Sequence, residues 1–362
     1  MGLFLFPDSA SIATSRQREA HMFKRKTVFV VGAGGSKEIG LPTGDELRVK
    51  IANALSSSVN GFNRTELAGA LVEIYNLRSE NLNIDRYLKA AKSISRAMFG
   101  ALSIDNFLAT HRADEDIILM GKLAIASVIL EEEGKSAIKI DSNGEILFQN
   151  TETYWMNTFC KLMSEEVVRG DFATLFHDVS IITFNYDRCI EHFLPHYLET
   201  YFLIDKVQAH KLASTLNVIH PYGRVGGYPS RSGSAPTIPF GSHKNRQHLA
   251  VAANQVQTFG EKLVDDVTVK RMKQLINEAE HIVFLGFSFA DMNMELLVPE
   301  VVYGRKTIFA TTLGMSDPNL HPIKLKMISD FRTLDTNAAP DVHMVDMSAN
   351  DLLNKYWRPI FK

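Results

Sequence analysis

The chain has 362 residues, 45% of them apolar and 22% charged, with a formal net charge of -2. These values describe an ordinary globular chain, long enough for one large domain with an insertion or for two domains. Near-neutrality removes any bulk electrostatic case for nucleic acid or an anionic membrane. The two cysteines, Cys160 and Cys189, exclude a disulfide framework and a four-cysteine zinc site, and they fit a reducing cytoplasm.

At the N-terminus, the apolar run Leu3–Phe6 is too short for a signal-peptide core, and Phe6 stands where myristoylation wants Ser or Thr. No segment approaches the length of a membrane span. Residues 1–24 turn polar and basic and are expected to form an arm, frayed or docked on a neighbouring subunit. Residues 25–362 read as one α/β domain. Apolar, β-rich runs occur at 27–31, 179–184, 216–220, 281–286, 306–311 and 341–345, most followed by a polar or glycine-containing turn and then a helical pattern. This alternation predicts a Rossmann-like, mostly parallel sheet flanked by helices.

The first run feeds into Gly32-Ala33-Gly34-Gly35-Ser36, a turn that lets the backbone approach a ligand and offers N–H groups to a diphosphate. Lys37 stands where the last glycine of a G-x-G-x-x-G fingerprint would fall. Thr43 and Glu46 have capping-box spacing ahead of Leu47, Ile51 and Leu55, and so open a helix. Helical periodicity follows at 64–78, 84–98, 103–111, 114–133 and 151–168. It predicts a helical insertion over about 64–170, broken by a hairpin or loop near 134–150. Glu131-Glu132-Glu133 is expected to be a solvated helix end, and Trp155 and Met156 core. Gly134-Lys135-Ser136 lacks the partner glycine of a P-loop. His192 and His196 have zinc-ligand spacing, but Pro195 lies between them and no third ligand is near, so no metal is expected. Residues 223–248, rich in Gly, Ser and Pro, read as a mobile surface loop or as a lid that orders over ligand.

Polar motifs recur at the ends of the predicted strands, where open α/β sheets bind ligands. Besides Gly32–Ser36, which Gly40-Leu41-Pro42 follows, these are Thr183-Phe184-Asn185-Tyr186-Asp187, His220-Pro221-Tyr222-Gly223 and Gly286-Phe287-Ser288-Phe289-Ala290-Asp291. Buried without partners, such residues would cost a few kcal/mol each, so a packing role alone is a poor account of them. In order and placement the set resembles the sirtuin family of NAD-consuming enzymes, over roughly 25–50 and 178–315. The chain departs from the protein-deacetylating members in two respects. It lacks their Cys-x-x-Cys zinc module, and Pro221 and Tyr222 separate His220 from Gly223. The insertion, with Ser103-Ile104-Asp105-Asn106-Phe107-Leu108, looks instead like bacterial sirtuin-like proteins of anti-phage defence, the helices standing in place of the zinc module.

The resemblance implies a cytoplasmic NAD glycohydrolase, with NAD as substrate and no metal. It would deplete NAD in an abortive anti-phage response. Asn185 would hold a ribose hydroxyl or orient water, and His220 would act as base. Gly32, Ala33, Gly34, Gly35 and Ser36 would meet the diphosphate, and Gly286 and Ser288 the adenosine side. Asp187 and Asp105 would bind or merely cap a helix. Control would come from homo-oligomerisation or from a partner such as a hexameric DNA-translocase ATPase or an Argonaute-type protein. The alternatives are an NAD-dependent protein deacylase or ADP-ribosyltransferase, and a non-catalytic NAD- or ADP-ribose-binding module.

Overall fold

A computed structural model describes residues 25–59, 65–78, 82–165, 167–172, 174–227, 237–262 and 266–362; the predicted arm, 1–24, lies outside the described residues. Its centre is a six-stranded sheet in the order β3-β2-β1-β4-β5-β6. The strands are β1 (Thr27–Val31), β2 (Val179–Thr183), β3 (Asn217–Ile219), β4 (His281–Leu285), β5 (Thr307–Thr311) and β6 (Asp341–Val345). Every pairing is parallel, and β1 runs in register with β2 on one side and β4 on the other. This is a Rossmann-like α/β fold, and the strand order reverses direction between β1 and β4.

The apolar runs explain the layering. Successive side chains of a strand point to opposite faces, so a strand covered on both faces is apolar throughout. In β1, Val28 and Val30 join one core and Phe29 and Val31 the other. The first core is roofed by α2 (Gly44–Val59), α3 (Glu66–Arg78), α4 (Ile84–Ala97), α5 (Ile104–Thr110), α6 (Glu115–Glu133), α10 (Arg246–Gln255), α12 (Asp266–Glu278), α13 (Asp291–Leu297) and α14 (Asp317–Asp330). The second is closed by α7 (Trp155–Ser164), α8 (Cys189–Phe202), α9 (Lys206–Ala213) and α15 (Ala349–Phe361). Short helices α1 (Ala33–Lys37) and α11 (Phe259–Lys262) complete the described set.

Helices of the expected insertion therefore serve both faces. α3, α4 and α6 share the first core with α2 and α10, and α7 packs on α15 in the second core, on the opposite face of the sheet. The capping box at the start of α2 is reciprocal. Thr43 N donates to Glu46 Oε2 at 2.9 Å, and Glu46 N to Thr43 Oγ1 at 3.4 Å. Ile140 and Ile146 form an isolated antiparallel bridge within the break expected at 134–150.

The solvated helix end expected at Glu131–Glu133 is corrected. Glu133 is fully buried and Glu132 nearly so. The reason is a distant cation: Glu133 Oε1 accepts from Arg188 Nε at 3.1 Å and Oε2 from Arg188 Nη2 at 2.5 Å. Arg188 Nη1 also donates to Ile238 O at 2.5 Å, and Gly241 N to Glu133 Oε2 at 3.0 Å. The last part of the Gly-, Ser- and Pro-rich region is thus strapped to α6 and α8; residues 228–236 lie outside the described residues. His192 stacks on Phe240, with ring centroids 3.8 Å apart, and its Nε2 donates to Ile138 O at 2.9 Å. Among the described residues, no helix is long and apolar enough to cross a membrane.

Candidate functional site

The loops after β1, β2, β3 and β4 meet at the C-terminal edge of the sheet, at the switch point. The turn after β1 lies against the turn after β4. Gly32 N donates to Leu285 O and Gly34 N to Gly286 O, both at 3.0 Å. A Cβ on Gly32 would sit 2.5 Å from Gly286 O, and one on Gly34 would sit 2.7 Å from Gly286 Cα. The first need for these glycines is therefore backbone against backbone. Gly35 N donates back to Gly32 O at 3.0 Å, so all three amides have protein acceptors. Ser36 is buried, Ala33 is partly exposed and Ser288 is exposed. Phe289, one residue on, holds a positive φ of 57°.

Asn185 lies where β2 ends and reaches across to the β1 turn. Its Nδ2 donates to Gly32 O at 3.1 Å and to Ser36 Oγ at 2.9 Å. Asp187 Oδ1 accepts from Cys189 N at 3.0 Å, which caps the start of α8. His220, after β3, closes the group from the far side. Its Nδ1 lies 3.1 Å from Asn185 O, and its Nε2 lies 2.9 Å from Glu191 Oε1. A backbone carbonyl only accepts, so Nδ1 is the donor there. Glu191 Oε1 also accepts from Arg224 Nη1 at 3.0 Å. The structure thus brings Asn185, His220, Gly32 and Ser36 together, holds Gly286 beneath them, and leaves Ser288 at the rim.

Further ties join these loops to the helical layer. Tyr186 OH donates to Asp105 Oδ1. Burial pushes the Asp105 carboxyl up and holds the Tyr186 phenol well above its ordinary range. Asp105 does not cap α5; Ser103 does, accepting from Asn106 N at 3.0 Å. Tyr222 OH donates to Asn293 Oδ1 at 2.7 Å, tying the β3 loop to α13. Phe184 packs edge-on against Phe287 and Tyr222, with centroids 5.2 and 5.7 Å apart. This wall keeps the local dielectric low and strengthens polar contacts beside it. A cleft of about 740 Å³ lined by Glu73 and Gly241–Gln247 shares none of the converging residues.

Sequence reading missed Glu191 and Arg224. The available signal was a lone acidic residue inside the apolar helix start Cys189-Ile190-Glu191-His192-Phe193-Leu194. A buried carboxylate needs a partner, and that requirement alone could have flagged it. Among the described residues, no group of His, Cys, Asp and Glu is placed to hold a metal ion.

Residues 179–316 match the family model described as SIR2-like domain. The match runs from β2 to the loop after β5, taking in Asn185, His220 and Gly286; the β1 turn that completes the switch point lies outside it. It supports a sirtuin-like family and, with it, NAD-related chemistry. No curated protein matches the chain.

Proposed function

We propose that the chain is an NAD glycohydrolase that converts NAD and water to nicotinamide and ADP-ribose. The observation that carries this reading is the convergence of Asn185, Ser36 and His220 at the switch point, within and beside a SIR2-like stretch. Nicotinamide leaves as a neutral ring, taking the electron pair of the C1′–N bond. The site must therefore place the ribose, stabilise an oxocarbenium-like centre and deliver water. Asn185 would hold a ribose hydroxyl or orient that water, and His220 would take its proton as the oxygen bonds to C1′. Ser36 and the paired glycine turns would underlie the diphosphate, and Ser288 would face the adenosine side.

The same contacts support restraint in the isolated chain. Both ring nitrogens of His220 and the Asn185 amide face protein groups, and the His220 side chain is only 4% exposed. Substrate would have to replace some of these contacts. Activation by self-association or by a partner, as in an anti-phage effector, fits this requirement and completes the proposal.

The test is incubation of the purified chain with NAD, alone and with candidate partner proteins, followed by chromatography of the products. Asn185→Ala and His220→Ala are each expected to lower nicotinamide release by about 100-fold or more. An absence of nicotinamide under every condition refutes the reading.

A further inference from the structure

We infer that Glu191 is the positioning residue for His220 and that Arg224 fixes Glu191; this inference rests on the proposed glycohydrolase reaction. A histidine that takes a proton works best when its second nitrogen is held and the charge it gains is balanced. Glu191 meets both conditions. Its Oε1 lies 2.9 Å from His220 Nε2, and the two side chains are 5% and 4% exposed. In so dry a place an acidic partner acts strongly on the ring.

The geometry specifies which atom works. Nδ1 donates to Asn185 O, a carbonyl that can only accept, and Nε2 faces Glu191 Oε1. Substrate or water that displaces Asn185 O meets Nδ1, which is the base in the tautomer whose proton sits on Nε2 and is donated to Glu191. The attacking water then gives a proton to Nδ1 as its oxygen bonds to C1′ and the bond to nicotinamide breaks. The imidazolium so formed is balanced by the carboxylate, and its Nδ1 proton later passes to solvent.

Arg224 completes the chain. Its Nη1 donates to the same Oε1 at 3.0 Å, and its Nε donates to Gly226 O at 3.2 Å, so the guanidinium is anchored at both ends. α8 supplies the fixed platform: Asp187 caps its start, and Glu191 lies in its first turn. A carboxylate on a rigid helix, held by an anchored cation, leaves the imidazole little freedom to turn.

The test uses the full chain as wild type, Glu191→Gln, Glu191→Asp and Arg224→Gln. Nicotinamide release is measured across NAD concentrations. The His220 ring is followed by 15N NMR of histidine-labelled protein, its resonances assigned by their loss in His220→Ala. Glu191→Gln is expected to lower kcat about 100-fold with KM within about twofold, and Glu191→Asp to recover part of the loss. Arg224→Gln is expected to lower kcat about 10-fold, and both neutral variants to move the Nε2 resonance. A Glu191→Gln protein with wild-type kcat, beside an inactive His220→Ala, overturns the inference. If wild type releases no nicotinamide with any partner, the glycohydrolase reading fails and the Nε2 resonance alone decides. An unmoved resonance then overturns the pairing, and a moved one upholds it. Should Glu191→Gln fail to fold, Arg224→Gln, whose side chain is 19% exposed, carries the same comparison.

Discussion

Gly286 shows what a single residue contributes at the switch point. Its φ is +57°, and a Cβ there would sit 2.1 Å from Gly35 N and 2.3 Å from Gly34 C. Both neighbours are backbone, so nothing flexible can yield. Gly286→Ala is expected to cost about 3 kcal/mol, the sum of the left-handed penalty and of overpacking. Gly304 is the internal comparison: its φ is +67° and nothing lies within 4 Å of its Cβ position. Gly304→Ala should cost only about 1 kcal/mol in the same denaturant unfolding measurement. Equal losses would show that the close approach contributes nothing. Gly32, Gly34 and Gly35 were legible as a turn that brings backbone close to a ligand, and Gly286 as part of a strand-end motif. Their packing against each other was not, because the partner of Gly34 lies far along the chain.

At the level of elements, local signals were readable and distant ones were not. The Thr43–Glu46 capping box is a three-residue pattern, and the structure contains it in full. Glu38 is the opposite case. Its Oε2 accepts from Trp155 N at 2.7 Å and its Oε1 from Asn350 N at 2.8 Å, so one carboxylate caps both α7 and α15. Its partners lie 117 and 312 residues away, beyond any local pattern. Burial outweighs these hydrogen bonds and raises its pKa from 4.5 to about 7. An acid whose folded pKa is raised contributes most stability below its unfolded value and loses that contribution as pH rises to the folded one. Wild type should therefore lose stability relative to Glu38→Gln between about pH 4.5 and 7. Urea unfolding at several pH values checks this, and a wild-type stability that holds or rises relative to Glu38→Gln over that range contradicts it.

Across the whole molecule, the sheet divides two apolar cores, and one buried ion pair joins pieces that neither core unites. Arg188 and Glu133 side chains are both 0% exposed, and they link the end of α6, the start of α8 and the strap at Ile238–Gly241. Removing one partner strands a buried charge. Glu133→Gln is expected to cost about 3–5 kcal/mol, and the double change Glu133→Gln with Arg188→Met markedly less. A double-mutant cycle by chemical denaturation measures the coupling, and additive losses would refute it. Sequence by itself determined the α/β class, the six strands and the strand-end positions of Asn185 and His220, because hydrophobic period and turn chemistry are local properties. Only the tertiary structure decided the strand order and the meeting of Gly34 with Gly286. It alone also decided the burial of Glu133 and the Glu191–His220–Arg224 chain. The physical reason is the same in each case. A buried charge or a missing Cβ states a requirement, and only the folded chain shows which distant residue satisfies it.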